Sequence, residues 1–135
     1  MKEIHELNLP DNVRYTDDRE WTKTEDEKVR IGITDYAQDQ LGEIIFVEVP
    51  PVGDTFDKGE TFGSLESVKA VSDMYIPVGG EILAVNTALE DAPATVNQDP
   101  YGGGWIIEIK PNDPSELDQL MDKNAYLEML KGLEE

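Results

Sequence analysis

The chain has 135 residues and a mass of 15.1 kDa, enough for one hydrophobic core and short of what two independent cores need. Its 30 Asp and Glu against 11 Lys and Arg give a formal charge of -19 at pH 7, which argues against nucleic-acid backbones and anionic membranes and favours partners with basic docking surfaces. With no cysteine and one histidine, His5, the chain excludes disulfides, thiolate metal sites, cysteine nucleophiles, Ser-His pairs and multi-histidine metal centres.

Glycine and proline recur at short intervals from Gly32 to Pro111, the spacing of short strands and turns, so an all-β middle is expected. Val29-Arg30-Ile31-Gly32-Ile33 alternates with period two, as a half-buried strand does. Asp35 and Gln38 stand at capping-box spacing before Leu41-Gly42, which predicts a short helix over Asp35 to Leu41 with Gly42 as its left-handed cap. Ile44 to Val49 is rich in β-branched and aromatic residues and stops at Pro50-Pro51, so it reads as a strand. Gly53-Asp54 and Lys58-Gly59 mark turns.

Ser64 to Ser72 fits two readings. A helical stripe would join Leu65, Val68 and Ser72; a hairpin is preferred because Gly63 and Pro77 bound the segment closely. Residues 41–48 also echo residues 79–86: Gly42, Glu43, Ile44 and Val47 recur as Gly80, Glu81, Ile82 and Val85, with Ile45 matched by Leu83. Two similar strand units flanking the hairpin suggest a quasi-symmetric β-sandwich.

Gly102-Gly103-Gly104 lacks the Lys-Ser or Lys-Thr of a phosphate loop and reads as a turn before a strand over Trp105 to Ile109. Asp113-Pro114-Ser115-Glu116 supplies an N-cap, a first-turn proline and a capping-box acid. The stripe Leu117, Leu120, Met121, Tyr126, Leu127, Leu130 and Leu133 predicts a helical tail packed on the sandwich and broken near Asp122-Lys123-Asn124. One domain over residues 1–135 is expected, with a core of about residues 15–110 and a helical segment of about 113–133. No apolar run has the length of a membrane span, and residues 1–6 lack the apolar stretch of a secretion signal.

Residues 31–110 hold fourteen acids and three bases. Lys58 adjoins a turn glycine and Lys110 closes a strand, which leaves Lys69 as the sole Lys or Arg between them. Its segment, Leu65-Glu66-Ser67-Val68-Lys69-Ala70-Val71-Ser72-Asp73, resembles the lipoyl attachment site of the glycine cleavage system H proteins. Before it, Gly32-Ile33-Thr34-Asp35-Tyr36-Ala37-Gln38, Leu41-Gly42-Glu43, Phe46-Val47-Glu48 and Val52-Gly53 stand in family order. After it come Pro77-Val78-Gly79-Gly80-Glu81, Val85-Asn86, Val96-Asn97, Pro100-Tyr101 and Gly104-Trp105. The resemblance covers roughly residues 15 to 130. One departure is Arg19-Glu20-Trp21, where the family usually has His-Glu-Trp; a role needing an imidazole there is put in doubt.

The resemblance implies a quasi-symmetric barrel-sandwich hybrid of the lipoyl/biotinyl type and a carrier without turnover of its own. It implies lipoate amide-linked to Lys69, loaded with an aminomethyl group by a pyridoxal-phosphate glycine decarboxylase. An aminomethyltransferase using tetrahydrofolate then unloads it, and dihydrolipoamide dehydrogenase reoxidises it. A lipoate ligase or lipoyl transferase must attach the group. Glu66 and Gly80 are expected to help that enzyme recognise the hairpin, and Glu20, Trp21 and Asp73 to line a cleft that shelters the loaded arm. The expected location is the cytoplasm, or the mitochondrial matrix if a targeting segment has been removed.

Elementary chemistry agrees with a carrier. A catalytic Schiff-base lysine needs a neutral amine, and flanking carboxylates such as Glu66 and Asp73 favour the ammonium instead. A cysteine-free body also offers no thiol to trap a reduced dithiol as a mixed disulfide. A biotin carrier shares the fold, but its lysine is usually flanked by methionines, where this chain has Val68 and Ala70. The same residues also resemble H-like lipoyl carriers that serve sulfur metabolism or relay lipoyl groups to further complexes. Against an unmodified docking module stands the intact lysine motif.

Overall fold

The computed structural model describes residues 6–17 and 19–134, with side chains through residue 132, so His5 and the Leu133 side chain lie outside the described part. Two antiparallel sheets face each other. The larger has the order β1 (Arg14–Tyr15), β2 (Glu20–Glu25), β3 (Lys28–Ile33), β9 (Ile107–Pro111), β8 (Gly80–Val85), β5 (Thr55–Phe56). The smaller joins β4 (Ile44–Glu48), β6 (Thr61–Ser67) and β7 (Val71–Tyr75). Between them lies an apolar core that includes Ile31, Ile44, Leu65, Met74, Ile82 and Ile109, all at most 2% exposed. This is a quasi-symmetric barrel-sandwich, each sheet burying one face on the other.

The internal echo marks that symmetry. Ile44 of β4 and Ile82 of β8 are both buried, while Ile45 and Leu83 are both exposed. Val47 and Val85 are both partly buried against the core. Both strands carry a register shift at the matched place, between Ile44 and Phe46 and between Ile82 and Ala84. The matched bulges bend one strand of each sheet in the same way.

The Ser64 to Ser72 segment is a β-hairpin. Leu65 and Ser67 are buried and Glu66 is exposed, the alternation of a strand with one wet face. The helix α1 (Asp35–Leu41) is present, but its N-cap is Thr34, whose hydroxyl accepts from the Ala37 N–H at 3.2 Å. Asp35 instead sits inside the first turn and accepts from the Gln38 amide. Gly42 ends the helix at a φ of 81° with an extended ψ, and its N–H bonds the Gln38 carbonyl.

The last strand starts at Ile107, two residues later than the sequence predicts. Trp105 is withheld from the ladder because Asn86 bonds its carbonyl and the Arg30 guanidinium covers its ring at 4.8 Å. Two short helical pieces, a 3-10 turn at Thr87–Glu90 and α2 (Thr95–Gln98), lie in what the sequence reads as an all-β middle.

The tail breaks slightly earlier than its sequence suggests. Asp113 caps a 3-10 segment, Pro114–Gln119, and then Met121 exchanges two 2.8 Å backbone bonds with Tyr15. The helix α3 (Lys123–Glu134) follows, its first turn held by Asp122 accepting from the Ala125 N–H. Tyr126 and Leu130 of α3 join Tyr15, Trp21, Leu9 and Val13 in a second buried cluster beside the main core. The rings of Tyr15 and Tyr126 stack 4.7 Å apart. No helix among the described residues is long and apolar enough to cross a membrane.

Candidate functional site: a lysine at a pinned hairpin tip

Lys69 stands in the turn between β6 and β7 and is exposed. The turn under it is well tied. The Ser67 N–H donates to the Ala70 carbonyl at 2.8 Å, and the Ser67 hydroxyl, itself buried, accepts from the N–H groups of Lys69 and Ala70. The Val68 N–H donates to the Glu43 carbonyl at 3.1 Å, which fastens the tip to the loop between α1 and β4. A tied backbone thereby carries an exposed side chain.

The Lys69 stem runs over Gly42, where an added Cβ would stand 3.5 Å from Lys69 Cε. Among the described residues its ammonium makes no ion pair or hydrogen bond. The nearby charges are the exposed carboxylates Glu43, Glu66 and Asp73. Ser67 is the structural residue that sequence reasoning missed; a serine two places before the lysine at a hairpin turn is the local signal that could have found it.

Beside the hairpin is a cleft of about 110 Å³ whose walls include Arg19, Glu20, Leu41, Leu65, Asp73 and Met74. Glu20 is 2% exposed, and its carboxylate accepts a 2.7 Å bond from the Tyr75 N–H. Arg19 has a φ of 70° and lies 5.3 Å from the centre of the Tyr36 ring. Two expected cleft residues, Glu20 and Asp73, thus share one wall system. Lys69 does not line this cleft; Gly42, over which its stem lies, lines a separate depression with Glu43 and Asn97.

Trp21 is located elsewhere. It is fully buried, donates from Nε1 to the Pro100 carbonyl at 3.0 Å, and packs on Tyr101 at 5.9 Å. Gly80 is buried in β8 of the larger sheet, between Phe56 and Pro111, and an added Cβ there would collide with the Lys110 carbonyl. Glu66 is exposed on β6, aligned with Phe46 of β4 and Val71 of β7, and adjoins the tip.

The second cluster supports the cleft from behind. Tyr101 OH accepts from the Asp35 N–H at 2.9 Å, and Tyr126 and Thr34 share a 2.8 Å hydroxyl bond. Burial pushes the Tyr15 and Tyr101 phenols well above their ordinary value and Tyr126 up to about 12. A larger crevice of about 320 Å³ beside Lys58, Pro77 and Gln119 shares no lining residue with the hairpin tip. No group of three or more His, Cys, Asp or Glu among the described residues could hold a metal ion.

Residues 13–133 match the family profile described as "Glycine cleavage H-protein". The chain belongs to the glycine cleavage H-protein family. It is 50% identical over 126 residues to the glycine cleavage system H protein of Bacteroides thetaiotaomicron, covering 93% of this chain and 100% of that one. It is 55% identical over 119 residues to that of Chromohalobacter salexigens, covering 87% and 91%. The crystal structure of a glycine cleavage system H protein from Mycobacterium marinum superposes with a TM-score of 0.85 at 39% identity, covering 91% of this chain and 99% of that chain. Membership makes the chain a carrier component of the glycine cleavage system, of the lipoyl-bearing kind.

Proposed function

We propose that Lys69 is the residue that carries lipoate, and that the chain shuttles an aminomethyl group between the enzymes of glycine cleavage. The observation that carries this reading is the exposed lysine at a hairpin tip pinned by Ser67 and Glu43. A swinging carrier needs that combination: a fixed base gives the arm a defined pivot, and an exposed Nζ admits the enzyme that acylates it. The residues fit the group, since the Lys69 ammonium has no competing partner among the described residues.

Attached lipoate supplies a disulfide that accepts the aminomethyl group and leaves a dithiol to be reoxidised. The chain's own residues supply location and shelter. The acids Glu20 and Asp73, which line the cleft, pair with the cargo's protonated amine, and the apolar walls from Leu41, Leu65 and Met74 limit water. Glu66, beside the tip, is read by the attaching enzyme, a lipoate ligase or lipoyl transferase. The working partners are glycine decarboxylase, aminomethyltransferase and dihydrolipoamide dehydrogenase, each of which meets the same arm in turn.

The test is glycine-dependent exchange of labelled bicarbonate with purified glycine decarboxylase and the lipoylated chain. Exchange that saturates with carrier concentration is expected. A fully lipoylated chain that supports none would overturn the pathway and move the protein to another lipoyl carrier role.

A further inference from the structure

The outer face of the three-stranded sheet presents an unusual row beside the lysine. Phe46, Glu66 and Val71 are direct cross-strand neighbours, and Phe46 and Val71 are 53% and 68% exposed. Val68, in the turn, is 67% exposed. The next row holds Glu48, Ser64 and Asp73, and Glu43 underlies the turn. Three exposed apolar side chains thus lie in or beside the turn that holds Lys69, with the acids Glu43, Glu48, Glu66 and Asp73 in the same rows and in the loop bonded to the turn. Scattered exposed hydrophobes are ordinary; an apolar cluster rimmed by one charge sign is the form of a docking surface.

We propose that this Phe46-Val68-Val71 face is the seat of the enzyme that attaches the arm, and that its partner surface is an apolar hollow rimmed by Lys and Arg. The proposal rests on Lys69 being the attachment residue. Before attachment the reacting atom is Nζ itself: the acyl carbon bonds to it, the activating group leaves with its bonding pair, and the ammonium gives up two of its three protons in becoming a secondary amide. The attaching enzyme must therefore bring its active site within one side chain's length of the hairpin and cover the first rows of the sheet. The enzymes that use the finished carrier meet the far end of the arm and do not need to cover the tip. A face confined to the rows nearest Lys69 suits the former.

The experiment uses full-length chain, lipoate, ATP and purified lipoate ligase, with Phe46→Glu and Val71→Glu compared with the wild type and with Phe46→Leu. Each acidic variant is expected to raise the KM for the carrier roughly tenfold, as loss of a central interface contact does, while Phe46→Leu stays near the wild type. Unchanged thermal unfolding separates docking from folding, and Val71→Ser provides a milder second probe. After complete lipoylation at high ligase concentration, both variants are expected to support glycine-dependent bicarbonate exchange with the wild-type KM. Lipoylation KM values within twofold of wild type would overturn the proposal, as would a parallel rise in the exchange KM. A wild-type chain that accepts no lipoate would instead overturn the reading of Lys69 itself.

Discussion

The carboxylate of Glu20, at the start of β2 in the larger sheet, accepts a 2.7 Å hydrogen bond from the backbone N–H of Tyr75, at the end of β7 in the smaller sheet. One buried acid therefore bridges the two halves of the sandwich beside the cleft. A charge-assisted bond of this kind contributes about 1.5–3 kcal/mol, and its removal leaves the Tyr75 N–H without that acceptor. Glu20→Ala is expected to lose about that much stability in urea unfolding, and Glu20→Gln less. In the loaded carrier, Glu20→Ala is also expected to release the cargo amine faster; an unchanged release rate would remove Glu20 from the protective role.

Ser67 holds the hairpin tip from within. Its hydroxyl accepts from two consecutive N–H groups and donates to the Ala70 carbonyl. Ser67→Ala removes these bonds at a position 5% exposed, so a loss of about 1–2 kcal/mol is expected. Amide hydrogen exchange at Lys69 and Ala70 should rise more than at Leu65, because the defect is local.

Gly32 lies against the Trp21 ring: a Cβ there would stand 2.7 Å from Nε1. Trp21 is fully buried and fixed by its bond to Pro100, so it has no room to retreat. Gly32→Ala is expected to destabilise by about 1–3 kcal/mol through overpacking. The fluorescence of the tryptophans should shift with it, since the packing around the Trp21 ring is perturbed.

The stacked tyrosines give the fold an alkaline limit. In the folded chain burial holds the Tyr126 proton up to about pH 12, whereas in the unfolded chain the phenol releases it near its ordinary value of 10.0. Above that ordinary value the unfolded state binds fewer protons than the folded one, so stability falls as pH rises. The contribution is complete below pH 10 and is lost between about 10 and 12. Urea midpoints measured from pH 9 to 12 should fall across that window, with Tyr15 and Tyr101 adding to the slope. Tyr126→Phe should flatten the curve while lowering stability at neutral pH, because the hydroxyl bond between Thr34 and Tyr126 is lost.

What was legible in the sequence, and what was not, divides by the range of the forces involved. The hairpin, the short helix and the echoed strands rest on turn residues and alternation within a few positions, such as Gly63, Gly42 and the pair Ile44 and Ile82. The strands β1 and β2 left no such mark, because Glu20, Trp21 and Thr22 are all buried and show no alternation. Thr34 outcompeted Asp35 as the cap because Asp35 is drawn inward to the Asn8 N–H and the Gln38 amide. The cleft is still less local. It is assembled from the stretch before β2, from α1 and from β7, so the meeting of Glu20 and Asp73 depends on the closed sandwich. Trp21, two steps along the chain from Arg19, turns instead to the core beneath Gly32.

Shuttling, docking and shelter all depend on Lys69 bearing the arm. The most direct measurement is the intact mass of native protein from lipoate-replete cells, with peptide mapping, compared with Lys69→Arg. A lipoyl-sized addition is expected on the peptide containing Lys69, with its complete loss in the variant. An unmodified native chain, or an addition that survives Lys69→Arg, would contradict this assignment.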